Sequence, residues 1–172
     1  MVKTFQEFPT LHVLDHPLIQ HKLSMMRDKS TPTTLFRQLL KEIALLMGYE
    51  LTRDLPMTTQ EIETPLTKMD APVIMGRKIA VVPILRAGLG MLDGVLDLIP
   101  NAKVSVVGLS RNHETLEPEH YFERFVGHLD ERTALIVDPM LATGNSAVAA
   151  VERLKETRPR SIRFVSLLAA PE

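Results

Sequence analysis

The chain contains no cysteine, which excludes a disulfide framework, a thiolate nucleophile and a cysteine-bound zinc site. It carries almost no net charge. Its 20 basic and 21 acidic residues leave a formal −1, so no bulk field draws it to nucleic acid or to an anionic membrane, and no nucleic-acid partner is expected. No apolar run approaches the roughly 20 residues that span a bilayer, and residues 1–10 lack an apolar stretch of signal-peptide length. The expectation is a cytoplasmic protein with no membrane partner. Internal repeats, low-complexity tracts and Gly/Ser linkers are missing as well. The six histidines lie near the N-terminus (His12, His16, His21) or around residues 113–128 (His113, His120, His128) without ligand spacing. Solvated or capping roles are expected for them, and no protein metal site. What is present is 172 residues with 45% hydrophobic content, enough for one well-buried domain and too little for two ordinary ones. One domain over residues 1–172 is therefore expected.

Apolar patterning divides this domain. Pro17–Arg27 reads as a helix with Leu18, Leu23 and Met26 facing inward. Thr31-Pro32 opens a stronger helix, with threonine as the cap and proline in the first turn. Leu35, Phe36, Leu39, Leu40, Ile43, Ala44, Leu46 and Met47 form its apolar stripe, against Arg37, Gln38, Lys41 and Glu42, and Gly48 is placed to end it. A stripe this wide suits contact with another subunit as well as the core, so a homo-oligomer is expected. Residues 51–75, with Glu61-Ile62-Glu63 alternating, read as an irregular β excursion. Apolar strands follow at Ile79–Leu85, 104–109, 134–137 and 162–169. Helical patterns separate the first pair and the last pair, the mark of a doubly wound, mainly parallel α/β sheet. Between them residues 112–125, charged and aromatic with Pro118 inside, read as a β-hairpin lid. Arg158, Arg160 and Arg163 read as a solvated helix end and strand start.

The densest chemical signal is Asp138-Pro139-Met140-Leu141-Ala142-Thr143-Gly144-Asn145-Ser146. It joins the apolar strand 134–137 to an amphipathic helix over 147–157. Thr143, Gly144, Asn145 and Ser146 offer consecutive backbone N–H groups, two hydroxyls and a helix N-terminus, a combination that holds an anion. A Walker loop would need a lysine after its last glycine, and there is none. The acid at the strand end instead suits a ligand with a phosphate at one end and vicinal hydroxyls nearby, as in ribose 5'-phosphate. An ordinary strand-to-helix turn would account for one capping hydroxyl, though not for the acid and the loop together. A second strand end carries Arg86-Ala87-Gly88, and a third carries Ser110-Arg111. Gly88, Gly90 and Gly94 loosely match a dinucleotide fingerprint, with Arg111 as a 2'-phosphate reader. That alternative, an NADP-dependent oxidoreductase, leaves the Asp138 loop unexplained. Arg111 taken alone would be an ordinary solvated strand-end charge.

With these motifs the chain resembles the type I phosphoribosyltransferases, whose signature is apolar strand, acid, short linker and Thr-Gly-x-Ser/Thr. The segment from Val82 through Arg86 to Gly94, the Ser110-Arg111 pair and the unusual Asp138-Pro139 are similar to the uracil phosphoribosyltransferases in particular, over about residues 16–172. The resemblance implies transfer of a phosphoribosyl group from phosphoribosyl diphosphate to uracil, giving UMP and diphosphate in pyrimidine salvage. Arg86, Ala87, Arg111, Asp138, Pro139, Met140, Leu141, Ala142, Thr143, Gly144, Asn145 and Ser146 would bind the diphosphate substrate, with Asp138, Arg86 and Arg111 as the catalytic set. Mg²⁺ would be the cofactor, carried mainly by the substrate's own oxygens. No protein nucleophile is required, in keeping with the absence of an identifiable Ser-His-Asp set. The resemblance also raises nucleotide binding and allosteric activation by GTP, which these residues leave open. It departs at the loop, where Gly144-Asn145 replaces a Gly-Gly pair and asparagine would have to tolerate a left-handed backbone. It departs again after Ala169-Ala170, since the family's C-terminal pyrimidine-binding segment is expected to be missing. A non-catalytic, RNA-binding nucleotide sensor of the same fold is the other reading, disfavoured by the neutral charge.

Overall fold

An apolar strand without alternation needs cover on both faces, and two helical layers supply it. A computed structural model describes residues 2–76, 79–111 and 118–170. The chain begins with a short antiparallel pair, β1 (Val2–Thr4) and β2 (His12–Leu14), then helices α1 (Pro17–Arg27) and α2 (Thr33–Leu51). β3 (Met57–Glu63) and β4 (Lys68–Ile74) form a separate exposed hairpin: residues 51–75 are β structure as their alternation predicts, but the pairing is regular from Met57 with Ile74 to Glu63 with Lys68 rather than an irregular excursion. The remainder runs β5 (Ile79–Leu85), α3 (Leu89–Leu98), β6 (Lys103–Val104), β7 (Val106–Arg111) and β8 (Pro118–Arg124), then a 3-10 turn (Leu129–Glu131). β9 (Thr133–Val137), β10 (Met140–Leu141), α4 (Asn145–Glu156), β11 (Ser161–Val165) and β12 (Leu168–Ala169) complete it.

The main sheet has the order β11-β9-β5-β7-β8, with β6 also on β5. It is parallel except for β8, which returns antiparallel to β7. From β5 the chain winds through α3 toward β7, and from β9 it winds through α4 toward β11, the opposite way. This is the doubly wound α/β sheet that the strand and helix pattern predicts, and its winding reverses between β5 and β9. Residues 112–117 of the predicted hairpin lid lie outside the described residues; the β7–β8 pairing on either side of them is a hairpin.

Period two sorts the central strands between the layers. Ile79, Val81, Leu135 and Val137 pack with Leu40 and Ala44 of α2 and Met91 and Val95 of α3. Ala80, Val82, Ile84, Ala134 and Ile136 pack on the other face with Ala150 and Leu154 of α4. Each fully buried branched side chain stabilises the fold by about 1.5–3 kcal/mol. The α2–α3 layer is tight because Gly94 lets the backbones meet: a Cβ there would lie 2.1 Å from the Lys41 carbonyl oxygen.

Several local expectations are corrected. In α1 the buried residue is Ile19, with Leu23 and Met26 partly covered, whereas Leu18 is 44% exposed. Ile19, Leu23 and Met26 follow the helical 4-then-3 spacing, and Leu18 sits about 100° off that line. Thr31 does not cap α2, whose N-cap is Pro32 without a side-chain bond; its hydroxyl donates to the Met25 carbonyl at the end of α1, 2.5 Å away. Gly48 does not end α2. It is buried inside the helix against Leu98. The run 104–109 is interrupted at Ser105, buried, whose N–H donates to Val81 O and whose hydroxyl accepts from the Val126 N–H. The run 162–169 leaves the main sheet after Val165, and β12 pairs with β10 instead. Arg163 is not merely solvated: its guanidinium holds the Asp54 carboxylate at 2.7 and 3.0 Å and the Leu51 carbonyl, tying β11 to the end of α2.

Gly94→Ala should lower unfolding free energy by about 1–3 kcal/mol through overpacking, measured by urea denaturation. Gly127→Ala, with nothing within 4 Å of the new Cβ, should stay within about 0.5 kcal/mol of the parent.

Candidate active site at the carboxyl edge of the sheet

Where the winding of an open α/β sheet reverses, the strand ends leave a crevice, and ligands bind there. Register decides which residues meet at it. Pro83 of β5 pairs with Val137 of β9, so Asp138 leaves β9 beside the last residues of β5. Leu85 pairs with Gly108 of β7, and β7 runs on to Arg111 at the same edge. Neighbouring strands are about 4.8 Å apart, so β7 and β9 flank Arg86 closely on either side. The Leu85–Arg86 peptide bond is cis.

The turn after β5 is pressed onto β9. Gly88 N–H donates to Ile84 O at 2.8 Å, and a Cβ on Gly88 would lie 2.3 Å from Val137 O and 2.7 Å from Ile84 N. Only glycine fits, and the contact is made at the residue immediately before Asp138. Arg86 and Ala87 stand exposed on top of this turn. Asp138 itself is half-buried; its N–H donates to Val165 O at 3.1 Å. Burial pushes the Asp138 carboxyl above the ordinary carboxylate value, against the opposing pull of the Met140 N–H that donates to it.

The loop that follows is bracketed by main chain. Leu167 and Leu168 N–H both donate to Pro139 O, and Ala170 N–H donates to Leu141 O. This β10–β12 bracket escapes sequence reasoning, which extends one strand through 162–169; Ser166, interrupting the apolar run, is the signal that marks the departure. Gly144 is the N-cap of α4 and takes the left-handed backbone, φ 79°. The concern over Asn145 is thereby removed: Asn145 is the first helical residue and needs no left-handed conformation, and α4 begins two residues earlier than predicted. Val148 N–H is bonded to Gly144 O, which leaves the N–H groups of Asn145, Ser146 and Ala147 ahead of the first intrahelical bond, free to face an anion. Thr143 is exposed and Ser146 half-buried beside them.

The predicted residues thus fall in two groups at one edge: Asp138, Pro139, Met140, Leu141, Ala142, Thr143, Gly144, Asn145 and Ser146 at β9, and Arg86 and Ala87 at β5, with β7 bringing the backbone of Arg111 alongside. Among the described residues, His128, Asp130 and Glu131 are close enough together to share an ion, but they are exposed and precede β9, at the other end of the sheet. No helix among the described residues is long and apolar enough to cross a membrane.

An acid at a strand end, a glycine-started helix as anion cradle and an adjacent arginine turn on a doubly wound sheet define a type I phosphoribosyltransferase fold. Solved phosphoribosyltransferases share it: a hypoxanthine phosphoribosyltransferase from Staphylococcus aureus superposes with TM-score 0.55 at 19% identity, over 78% of this chain and 65% of that one. A purine phosphoribosyltransferase from Pyrococcus horikoshii gives 0.57 at 14%, over 81% and 76%. The AQ2163 protein from Aquifex aeolicus is far nearer, TM-score 0.87 at 38% identity over 92% of this chain and 76% of that one. A family model described as uracil phosphoribosyltransferase matches residues 13–172. The uracil phosphoribosyltransferase of Rhodospirillum centenum is 58% identical over 99% of this chain and 80% of its own length. That of Paracoccus denitrificans is 56% identical over 94% and 77%. The chain belongs to the uracil phosphoribosyltransferase family. The family's reaction is phosphoribosyl transfer from phosphoribosyl diphosphate to uracil, yielding UMP; the oxidoreductase and RNA-sensor readings find no support among these relatives.

A half-buried carboxylate held above its ordinary pKa destabilises the fold once it is ionised. The unfolded chain then binds fewer protons than the native one, so stability falls as pH rises from the ordinary value of 3.8 through the raised native value. Asp138→Asn removes that penalty. Its melting temperature should exceed the parent's at neutral pH, and the difference should vanish below pH 3.8, where the carboxyl is protonated in both states; calorimetry across pH checks both.

Proposed function

We propose that this edge binds phosphoribosyl diphosphate in a single orientation, with the 5'-phosphate on the N-terminus of α4. The three leading N–H groups of that helix, with the Thr143 and Ser146 hydroxyls, are donors facing a dianion that the helix dipole favours. Asp138 accepts hydrogen bonds from the ribose hydroxyls. Its partial desolvation strengthens those bonds in the bound state. Arg86, on the turn with Ala87, and Arg111, at the end of β7, hold the diphosphate. The observation that carries this reading is the convergence of the three strand ends beside a helix whose N-cap is a left-handed glycine.

Loss of diphosphate from C1 puts positive charge on the sugar ring and negative charge on the leaving oxygens, and a uracil nitrogen forms the new bond to C1 as its proton passes to the departing diphosphate or to solvent. The chain's contribution is placement and electrostatics rather than covalent catalysis. In this reading Asp138 lowers the energy of a cationic ring, and Arg86 and Arg111 receive the leaving charge. The donor set fits Mg²⁺ carried by substrate: Asp138 is the single acid of the segment 138–146, and Mg²⁺ keeps waters and substrate oxygens in preference to a protein cage. Bound there, Mg²⁺ would neutralise the diphosphate. The same reading takes residues 1–172 as one domain, cytoplasmic, and as a homo-oligomer; most of the α2 stripe is covered by the chain's own core, so the contact surface is the exposed β3–β4 hairpin, where Met57 and Met69 are 56% and 45% exposed.

Titration calorimetry with phosphoribosyl diphosphate and Mg²⁺, followed by a UMP assay after uracil is added, tests the assignment. Arg86→Ala should weaken substrate binding by at least about tenfold, the scale of one lost charge-assisted contact. Asp138→Asn should lower kcat/KM by about 10²–10³-fold, as loss of one transition-state contact does. Parent-like binding by both variants would overturn it.

A further inference from the structure

The opposite edge of the sheet holds a second collection of cations. β6 starts there at Lys103, β8 ends there at Arg124, and the chain passes through Phe125, Val126 and His128 to Arg132, the residue before β9. These residues line a cavity of about 560 Å³, within the size range of small-molecule sites. β9, with its five residues, separates Arg132 from Asp138 by about 20 Å at roughly 3.3 Å per step, so this cavity is not the crevice at the carboxyl edge.

Its lining includes four basic side chains and no acid. Among the described residues Lys103, Arg124 and Arg132 have no ion-pair partner, while His128 Nδ1 is 3.3 Å from Glu131 Oε1. Arg132 Nε is buried and meets no acceptor among the described residues, although buried polar atoms are almost always paired. Other cations on the surface are paired, Lys41 with Asp97, Lys22 with Glu42 and Arg153 with Glu123, or stand singly in solvent; here several line one concavity. Gathering like charges around one concavity repels unless an anion joins them. The other wall is apolar, with Phe125 and Val126 half-buried in it. Phe125 also belongs to the core behind, which fixes its ring in place.

From this juxtaposition we infer a second ligand site, for an organic phosphate: a phosphate group on Arg124, Arg132 and Lys103, and an apolar or aromatic portion against Phe125 and Val126. It is separate from the substrate site proposed above and does not rest on it. The occupant is defined by its chemistry, a compact phosphomonoester with an apolar group.

Phenyl phosphate is the simplest probe, with phenol and inorganic phosphate as its two halves. Titrated into the isotopically labelled chain and followed by NMR, phenyl phosphate should shift the Gly127 and Val126 amides saturably. Phenol should leave them unmoved, and inorganic phosphate should bind several-fold more weakly. Arg124→Gln and Lys103→Gln, both at exposed positions, should each weaken binding roughly tenfold, as loss of a charge-assisted contact does. Asp138→Asn should leave the titration at Gly127 unchanged, which separates this site from the other. Shifts confined to residues 143–146, no saturation by about 10 mM, or parent-like binding by both glutamine variants would overturn the assignment. Equal binding of inorganic phosphate would overturn its apolar half.

Discussion

The pairing of β5 with β9 is the contact on which the rest of the molecule depends. These two strands form the middle of the sheet, contribute alternate residues to both apolar layers, and deliver their last residues to the same crevice. If the pairing slipped by one residue, Leu135 and Val137 would face α4 instead of α3, and both layers would lose their fit at once. Burial on two faces therefore sets the position of Asp138 relative to Arg86 more firmly than any polar contact at the crevice. The chemistry is placed by hydrophobic cores that take no part in it.

Glycine is used where backbones must touch, and two such contacts serve different ends. Gly94 brings α3 against α2 and tightens the layer under the sheet. Gly88 brings the arginine turn against the end of β9, next to the acid. The first concerns stability and the second concerns geometry at the site. Asp138 adds the opposing theme: a carboxylate kept partly out of water is unfavourable for the fold once ionised, so the crevice holds a destabilising group that the surrounding layers offset.

Much of this was legible in the chain itself. Ile79–Leu85 and 134–137 announce buried parallel strands because they never alternate, and Asp138 with Thr143, Gly144 and Ser146 announces an anion cradle because strand end, acid, glycine and hydroxyls fall at one turn. What was not legible depends on partners distant in sequence. Thr31 looks like a cap until α1 ends beside it and offers a carbonyl. Gly48 looks like a helix stop until α3 lies against it. The run 162–169 looks like one strand until β10 takes up its last residues. Arg163 looks solvated until the end of α2 comes within reach. Periodicity reports which face is apolar and says nothing about what covers it, so local spacing assigned the candidate residues to their turns while tertiary packing decided what supports them.

The register of β5 on β9 also bears on the order in which the molecule is assembled. Ile79 pairs with Thr133, and everything between, including α3, β7 and β8, must be held in the intervening loop when that pairing closes. Such a non-local closure is slow compared with helix formation, and the entropy it costs is recovered only when both layers close over the strands. Arg86 and Asp138 are brought together by the same event. The crevice therefore does not exist in any partly folded chain that has only its helices and hairpins, and a ligand that binds it acts on the finished fold alone, drawing the folding equilibrium toward completion by mass action.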